Sequence, residues 1–199
     1  LRLSCSFSIC SDRERLAAAR KQLNAPAPQV EPEETRGQAI LVFLPGIQAI
    51  SSVSRALRKR PELADRDKFI VFELHGTMAP EHQRKVFTRP RPGQWKIVLS
   101  TNIAETSITV EDVTHVIDSG LVREMRYDPT TNMSSLQEVG ISCASAAQRA
   151  GRAGRVQEGH CWRCYTTLHH DTRMPAFPDP EIRRIALEEV VLQVRLLDL

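Results

Sequence analysis

Lys96-Ile97-Val98-Leu99-Ser100-Thr101-Asn102-Ile103-Ala104-Glu105-Thr106-Ser107-Ile108-Thr109-Val110-Glu111-Asp112 begins as a short apolar run and turns into a polar, hydroxyl-rich segment. Val113 to Ile117 then resumes a β-branched run. Short apolar runs bounded by such segments read as buried strands. A polar turn at the end of a buried strand is where open parallel sheets bind ligands. The same grammar extends outward. Ala39 to Leu44 is a continuous apolar run, which predicts a strand buried on both faces. Ile47, Ile50, Val53 and Leu57 follow at helical spacing. Phe69 to Phe72 reads as a second buried strand, and Pro80 opens a helix ending near Phe87. Residues 123–141 alternate around the turn-like Asp128 to Asn132 and predict a β-hairpin. Gly159 to Thr166 reads as a last strand. Asp179 begins a helix reaching Leu199, with apolar positions at Ile182, Ala186, Val190, Val194 and Leu197. Strands alternating with helices imply a parallel α/β sheet with right-handed crossovers.

A second stretch carries the chemistry. Gln148-Arg149-Ala150-Gly151-Arg152-Ala153-Gly154-Arg155 spaces three arginines among residues too small to obstruct them. On a helix, positions three apart share a face, so Arg152 and Arg155 would point the same way. The guanidinium is a rigid fork of donors that matches phosphate oxygens and stays charged. Ser142 or Ser145 would cap this helix. Ser145 with Gln148 also fits a capping box, which is the structural alternative for Gln148.

Together, the segments Thr101 to Thr109 and Gln148 to Arg155 resemble motifs V and VI of the superfamily 2 helicases, of the DEAH/RHA type. Ile117-Asp118-Ser119-Gly120, with Tyr127-Asp128 after it, resembles the RHA-like branch. The resemblance runs from about Ala39 to the C-terminus. It implies a three-layer RecA-like α/β domain: a mainly parallel central sheet, helices on both faces and an inserted β-hairpin. It is the second of a helicase's two motor domains. The expected division is an N-terminal helix (Asp12 to Leu23) and flexible linker over 1–37, the RecA-like domain over 38–178, and a helix over 179–199. That helix leads toward a truncated winged-helix domain.

The resemblance also implies roles. Arg152 and Arg155 look like the motif VI arginines that reach the β/γ-phosphates, and Gln148 like the residue that orients the attacking water. Arg149 faces elsewhere and is left structural. Phe87 matches a base-stacking Phe, with a core Phe as its alternative. Thr109 and Glu111 match positions that approach the nucleotide; Glu111 departs from the Asp common in the splicing branch. Thr101 and Asn102 look like residues that hold the nucleic-acid backbone, which a hydroxyl and an amide can do without reading a base. Gly46 matches motif IV and Thr77 motif IVa in the same role. The hairpin lies where the family has a strand-separating hairpin; an interdomain brace is its alternative.

Absences bear on mechanism. The 199 residues contain no G-x-x-x-x-G-K-[ST] and no Asp-Glu-x-His. The expected cofactor is ATP or another NTP with Mg2+, the metal held by a first motor domain preceding this chain. An arginine finger acts only once phosphates and metal are positioned, so the fragment alone is expected to be inactive. No metal site is expected here. Cys161-Trp162-Arg163-Cys164 lies in a predicted strand, which sends the two thiols to opposite faces.

Composition sets the outer bounds. The net charge of +3 is too small to announce nucleic-acid binding by itself. Apolar content of 41% supports one core. Five cysteines without a framework spacing point to a reducing compartment, cytoplasmic or nuclear. Leu1 to Ser11 is too short and polar to span a bilayer, so no membrane partner is expected. The missing initiator Met suggests an excised piece. The expected partners are RNA, the first RecA-like domain and a following winged-helix domain. The rival readings are a helicase-like RNA-binding or scaffold protein without turnover, and a related DNA helicase.

Overall fold

The computed structural model describes residues 38–153 and 158–197. The expected N-terminal helix and linker over 1–37, and Arg155, lie outside the described residues. Five strands form one sheet: β1 (Ala39–Phe43), β2 (Phe69–Leu74), β3 (Trp95–Ser100), β4 (Val113–Asp118) and β7 (His160–Arg163). Their order is β2-β3-β1-β4-β7, and every neighbouring pair is parallel. Strand periodicity sends alternate residues to opposite faces. Leu41 and Phe43 accordingly pack with Val86, Ala104, Val110 and Ala153. Ile40 and Val42 pack under Ile50, Val53 and Leu57 of helix α1 (Ile47–Arg58). The second layer is built from the short helices α2 (Pro80–Arg84) and α3 (Ile103–Thr106) and from α4 (Cys143–Ala150). The three-layer, parallel α/β expectation is met.

Strand β2 differs from its reading as a buried strand: only Leu74 is fully buried. Among the described residues it lies at the edge of this sheet with β3 as its one strand neighbour, and its apolar residues are covered incompletely. The expected hairpin is present as β5 (Leu121–Asp128) and β6 (Met133–Gly140), antiparallel and forming their own two-stranded sheet.

The expected continuous helix from Asp179 is broken. Glu181–Arg183 makes one 3-10 turn, and α6 spans only Glu188–Leu196. The cause is tertiary. The Tyr127 N–H donates to the Arg184 carbonyl at 2.7 Å, which takes an acceptor that a continuing helix would use. The Arg184 side chain adds an ion pair to Glu124 at 3.2 Å, so this segment docks on the hairpin. Helix α5 (Thr167–Thr172) has no counterpart in the sequence reading. It is short, and Thr166 caps it by accepting from the His169 N–H at 3.1 Å.

Between β4 and β5 the chain turns at Gly120, whose φ is +76°. A Cβ there would lie 2.5 Å from Tyr165 Cδ1. Left-handed backbone and overpacking act together, so Gly120→Ala is expected to cost about 2–4 kcal/mol of stability. Denaturant midpoints measure this. A loss under about 1 kcal/mol would mean that Tyr165 moves aside freely.

On the α1 side, β3, β4 and β7 carry an aromatic cluster around His115. His115 stacks on Trp162 with centroids 5.1 Å apart, and Trp95 and His160 each lie 5.7 Å from it. Burial, and then the nearby His160, push the His115 pKa below its ordinary value. In the window between the two values the unfolded chain binds more protons than the folded one, so stability rises with pH. This contribution is present above the unfolded value near 6.5 and is lost as pH falls through the lowered folded value. Melting midpoints are expected to fall on acidification from the unfolded value down to the lowered folded one, and less steeply in His115→Gln. Parallel curves for the two proteins would remove His115 as the cause. No helix among the described residues is long and apolar enough to cross a membrane.

Candidate functional site

The sheet positions two groups of residues. The first follows the C-terminal ends of β1, β2 and β3. Phe43 and Leu74 both pair in register with Ser100, so the turns after these strands line one edge. Gly46, Thr77, Thr101 and Asn102 all lie there. The Thr101 N–H donates to the Leu74 carbonyl at 3.1 Å, tying its turn to β2. Asn102 is exposed at the N-cap position of α3. Thr77 is exposed, with its Oγ1 2.9 Å from His75 Nδ1. Gly46 is buried, and a Cβ on it would lie 3.1 Å from Arg123 Cδ. What approaches this glycine is therefore a side chain of the hairpin. Arg123 also reaches Gln48 Oε1 at 3.4 Å. This edge offers hydroxyl, amide and guanidinium groups suited to phosphate and sugar oxygens.

The second group surrounds a cavity of about 280 Å³ lined by Phe87, Arg89, Thr109, Glu111 and Asp112. Phe87 ends the 3-10 turn Lys85–Phe87 and is 51% exposed. The residue is half-exposed beside the cavity and is not enclosed in the core. Glu111 is exposed, with Oε2 4.0 Å from Arg89 Nη2. Arg152 donates to Thr109 Oγ1 at 3.3 Å and to the Glu105 carbonyl.

Helix α4 ends at Ala150 with Gly151 as its C-cap, so Arg152 lies in the turn beyond it. The helical face expected to carry Arg152 is therefore corrected. The Arg152 N–H bonds the Arg149 carbonyl at 3.1 Å, a tight i to i−3 bond that ends regular α-helix. Arg152 owes its direction to its contacts with the Glu105–Thr109 segment. Gln148 is exposed in the last turn of α4. Ser142 is the cap, its Oγ accepting from the Ser145 N–H at 3.1 Å. Ser145 is thus not an N-cap, and the capping-box alternative for Gln148 is removed. The first amides of α4 donate outward, Cys143 to Pro175 O at 2.8 Å and Ala144 to Ala176 O at 3.0 Å. Among the described residues no three His, Cys, Asp or Glu side chains gather as a metal site.

A buried network missing from the sequence reading joins these parts. Arg149 is 1% exposed. Its Nε donates to Glu105 Oε2 at 3.0 Å, and its Nη1 to Asp118 Oδ1 at 2.7 Å and to Leu121 O at 3.1 Å. Its guanidinium lies 4.9 Å from the centre of the Phe43 ring. Asp118 also accepts from the Gly120 N–H and the Tyr165 hydroxyl, each at 3.0 Å. Burial, and then the Asp118 charge, hold the Tyr165 pKa far above the ordinary tyrosine range. One guanidinium thus locks α4 to α3 and to the end of β4. The available signal was Asp118 closing an apolar run, but spacing along the chain does not reveal a partner 31 residues away.

The helicase conserved C-terminal domain family matches residues 18–157. The DExH-box ATP-dependent RNA helicase DExH6 of Arabidopsis thaliana is 49% identical over 160 residues, covering 80% of this chain and 12% of that protein. The ATP-dependent DNA/RNA helicase DHX36 of Homo sapiens is 46% identical over 167 residues, covering 84% of this chain and 16% of that protein. The chain therefore spans only a small part of these relatives. The crystal structure of the E. coli DExH-box NTPase HrpB superposes with a TM-score of 0.69 at 31% identity, covering 98% of this chain and 22% of that one.

Proposed function

The chain belongs to the helicase conserved C-terminal domain family, and we propose that it is the second motor domain of an ATP-dependent RNA helicase. In this reading it couples NTP hydrolysis in a two-domain cleft to translocation on RNA or to its unwinding. One observation carries the nucleotide half. The Arg152 guanidinium sits on Thr109, and Thr109 also lines the cavity faced by the exposed Phe87 ring. Thr109 thus links a cavity lined by an aromatic ring to a phosphate-seeking fork. A base stacking on Phe87 would need no particular identity, since every base has a π-face. Arg152 and Arg155 would stabilise charge developing on the transferred phosphoryl group, and Gln148 would orient the attacking water.

The described residues fit a nucleotide but gather no carboxylate set for Mg2+. Magnesium and the phosphate cradle belong, in this reading, to a first RecA-like domain. The 199-residue chain alone would then lack turnover. The strand-end turns at Gly46, Thr77, Thr101 and Asn102 would hold the nucleic-acid backbone. Residues 179–199 would lead to a winged-helix domain, and the protein would work inside the cell, in cytoplasm or nucleus. DNA as the strand is the second reading, favoured by the relative named a DNA/RNA helicase. ATPase and unwinding assays on the full-length protein, with RNA and DNA side by side, test both. Hydrolysis stimulated by neither nucleic acid would defeat the motor reading.

A further inference from the structure

Lys96 opens the apolar core of β3, yet its side chain is 0% exposed. Burying an ammonium is costly unless each of its protons meets an acceptor. Here all three do. Nζ donates to Val86 O at 2.9 Å, to Thr88 O at 3.3 Å and to Asp112 Oδ1 at 2.7 Å. Asp112 Oδ2 lies 2.6 Å from the same atom. The two carbonyls are those of the residues on either side of Phe87. The carboxylate belongs to the residue after Glu111, and both residues line the same cavity as Phe87. A single buried charge therefore fixes the backbone on both sides of the Phe87 ring against the segment that carries Thr109 and Glu111. Core packing explains Val86, which is fully buried, but not this convergence.

We propose that Lys96, paired with Asp112, is a positioning residue for nucleotide binding that sets the Phe87 ring at the height and tilt a stacked base requires. The proposal rests on the reading of this cavity as the nucleotide site. Lys96 touches no nucleotide in it. Burial draws the Lys96 pKa below its ordinary value while Asp112 draws it back. That balance fits a group whose value lies in its geometry rather than in proton transfer.

The test uses the full-length protein and NTP kinetics. Phe87→Ala is expected to raise KM for ATP about tenfold, the scale of one lost base-stacking contact. Lys96→Met is expected to raise KM by a similar factor with kcat changed less than about twofold, the mark of lost uniform binding. Hydrolysis of ribose 5′-triphosphate, which has no base to stack, should keep its KM. In a Phe87→Ala background, Lys96→Met should add little, because it acts through the ring. Lys96→Met alone leaves Asp112 buried and unpaired, so Lys96→Met with Asp112→Leu is the second variant; an apolar pair often replaces a buried ion pair without loss of folding. A wild-type KM in a folded double variant overturns the positioning role, as does an equal KM rise with the baseless substrate. Failure of both variants to fold overturns it too, by making the pair a requirement of the fold rather than of the pocket. Phe87→Ala with a wild-type KM defeats the cavity reading instead, so the two failures are distinguishable.

Discussion

Arg155→Lys in the full-length protein is expected to lower nucleotide turnover about a thousandfold. Lysine keeps the charge but not the planar fork, and the fork is what fits two phosphate oxygens at once. An interaction that strengthens as charge develops in the transition state appears in kcat rather than in binding. Arg152→Lys should behave alike, with an added loss. Its guanidinium is held by two acceptors on the Glu105–Thr109 segment, and an ammonium at the end of a flexible stem would not be held in the same direction. Thr101→Ala should give a different pattern. It lies on the strand-end edge, away from the Phe87 cavity, so the RNA concentration for half-maximal stimulation should rise. The crossed measurement is ATPase rate against RNA concentration for each variant. An Arg155→Lys enzyme with normal maximal turnover would remove the finger role.

The sequence showed most clearly what depends on local pattern. β1, β3 and β4 are apolar runs with polar ends, and a parallel sheet makes the same demand of each. The hairpin was legible because its turn residues sit between alternating strands. Less legible was anything decided by contacts distant in sequence. Arg184 gives its carbonyl to Tyr127, and that one bond ends a helix which the apolar spacing from Ile182 onward would have continued. Gln148 was ambiguous between a capping-box partner and a residue that orients the attacking water, and Ser142 as the cap removes the first of these. Lys96 reads as part of a short apolar run with no role for its charge, yet it is among the most deeply buried side chains. Its acceptors come from two turns, 8–10 and 16 residues away. Local patterning identifies which residues meet the core. It does not identify which charges the core will enclose.

Arg149 is such a charge, and Arg149→Met is expected to destabilise the protein by about 3–5 kcal/mol. Methionine approximates the volume but leaves Glu105 and Asp118 buried without their cation. Asp118 retains the Gly120 amide and the Tyr165 hydroxyl, so part of its demand stays satisfied. Glu105 loses the guanidinium contact that holds its carboxylate, and its backbone carbonyl is an acceptor for Arg152. The damage should therefore extend from stability to the placement of Arg152, the proposed finger. Arg149→Lys supplies one charge but cannot span Glu105, Asp118 and Leu121 together, so an intermediate loss is expected. Adding Asp118→Asn to Arg149→Met removes one orphaned charge and should recover part of the stability. Thermal melts of the three variants and the parent measure the series. If Arg149→Met costs less than about 1 kcal/mol, the network is loosely solvated and does not brace the two motifs.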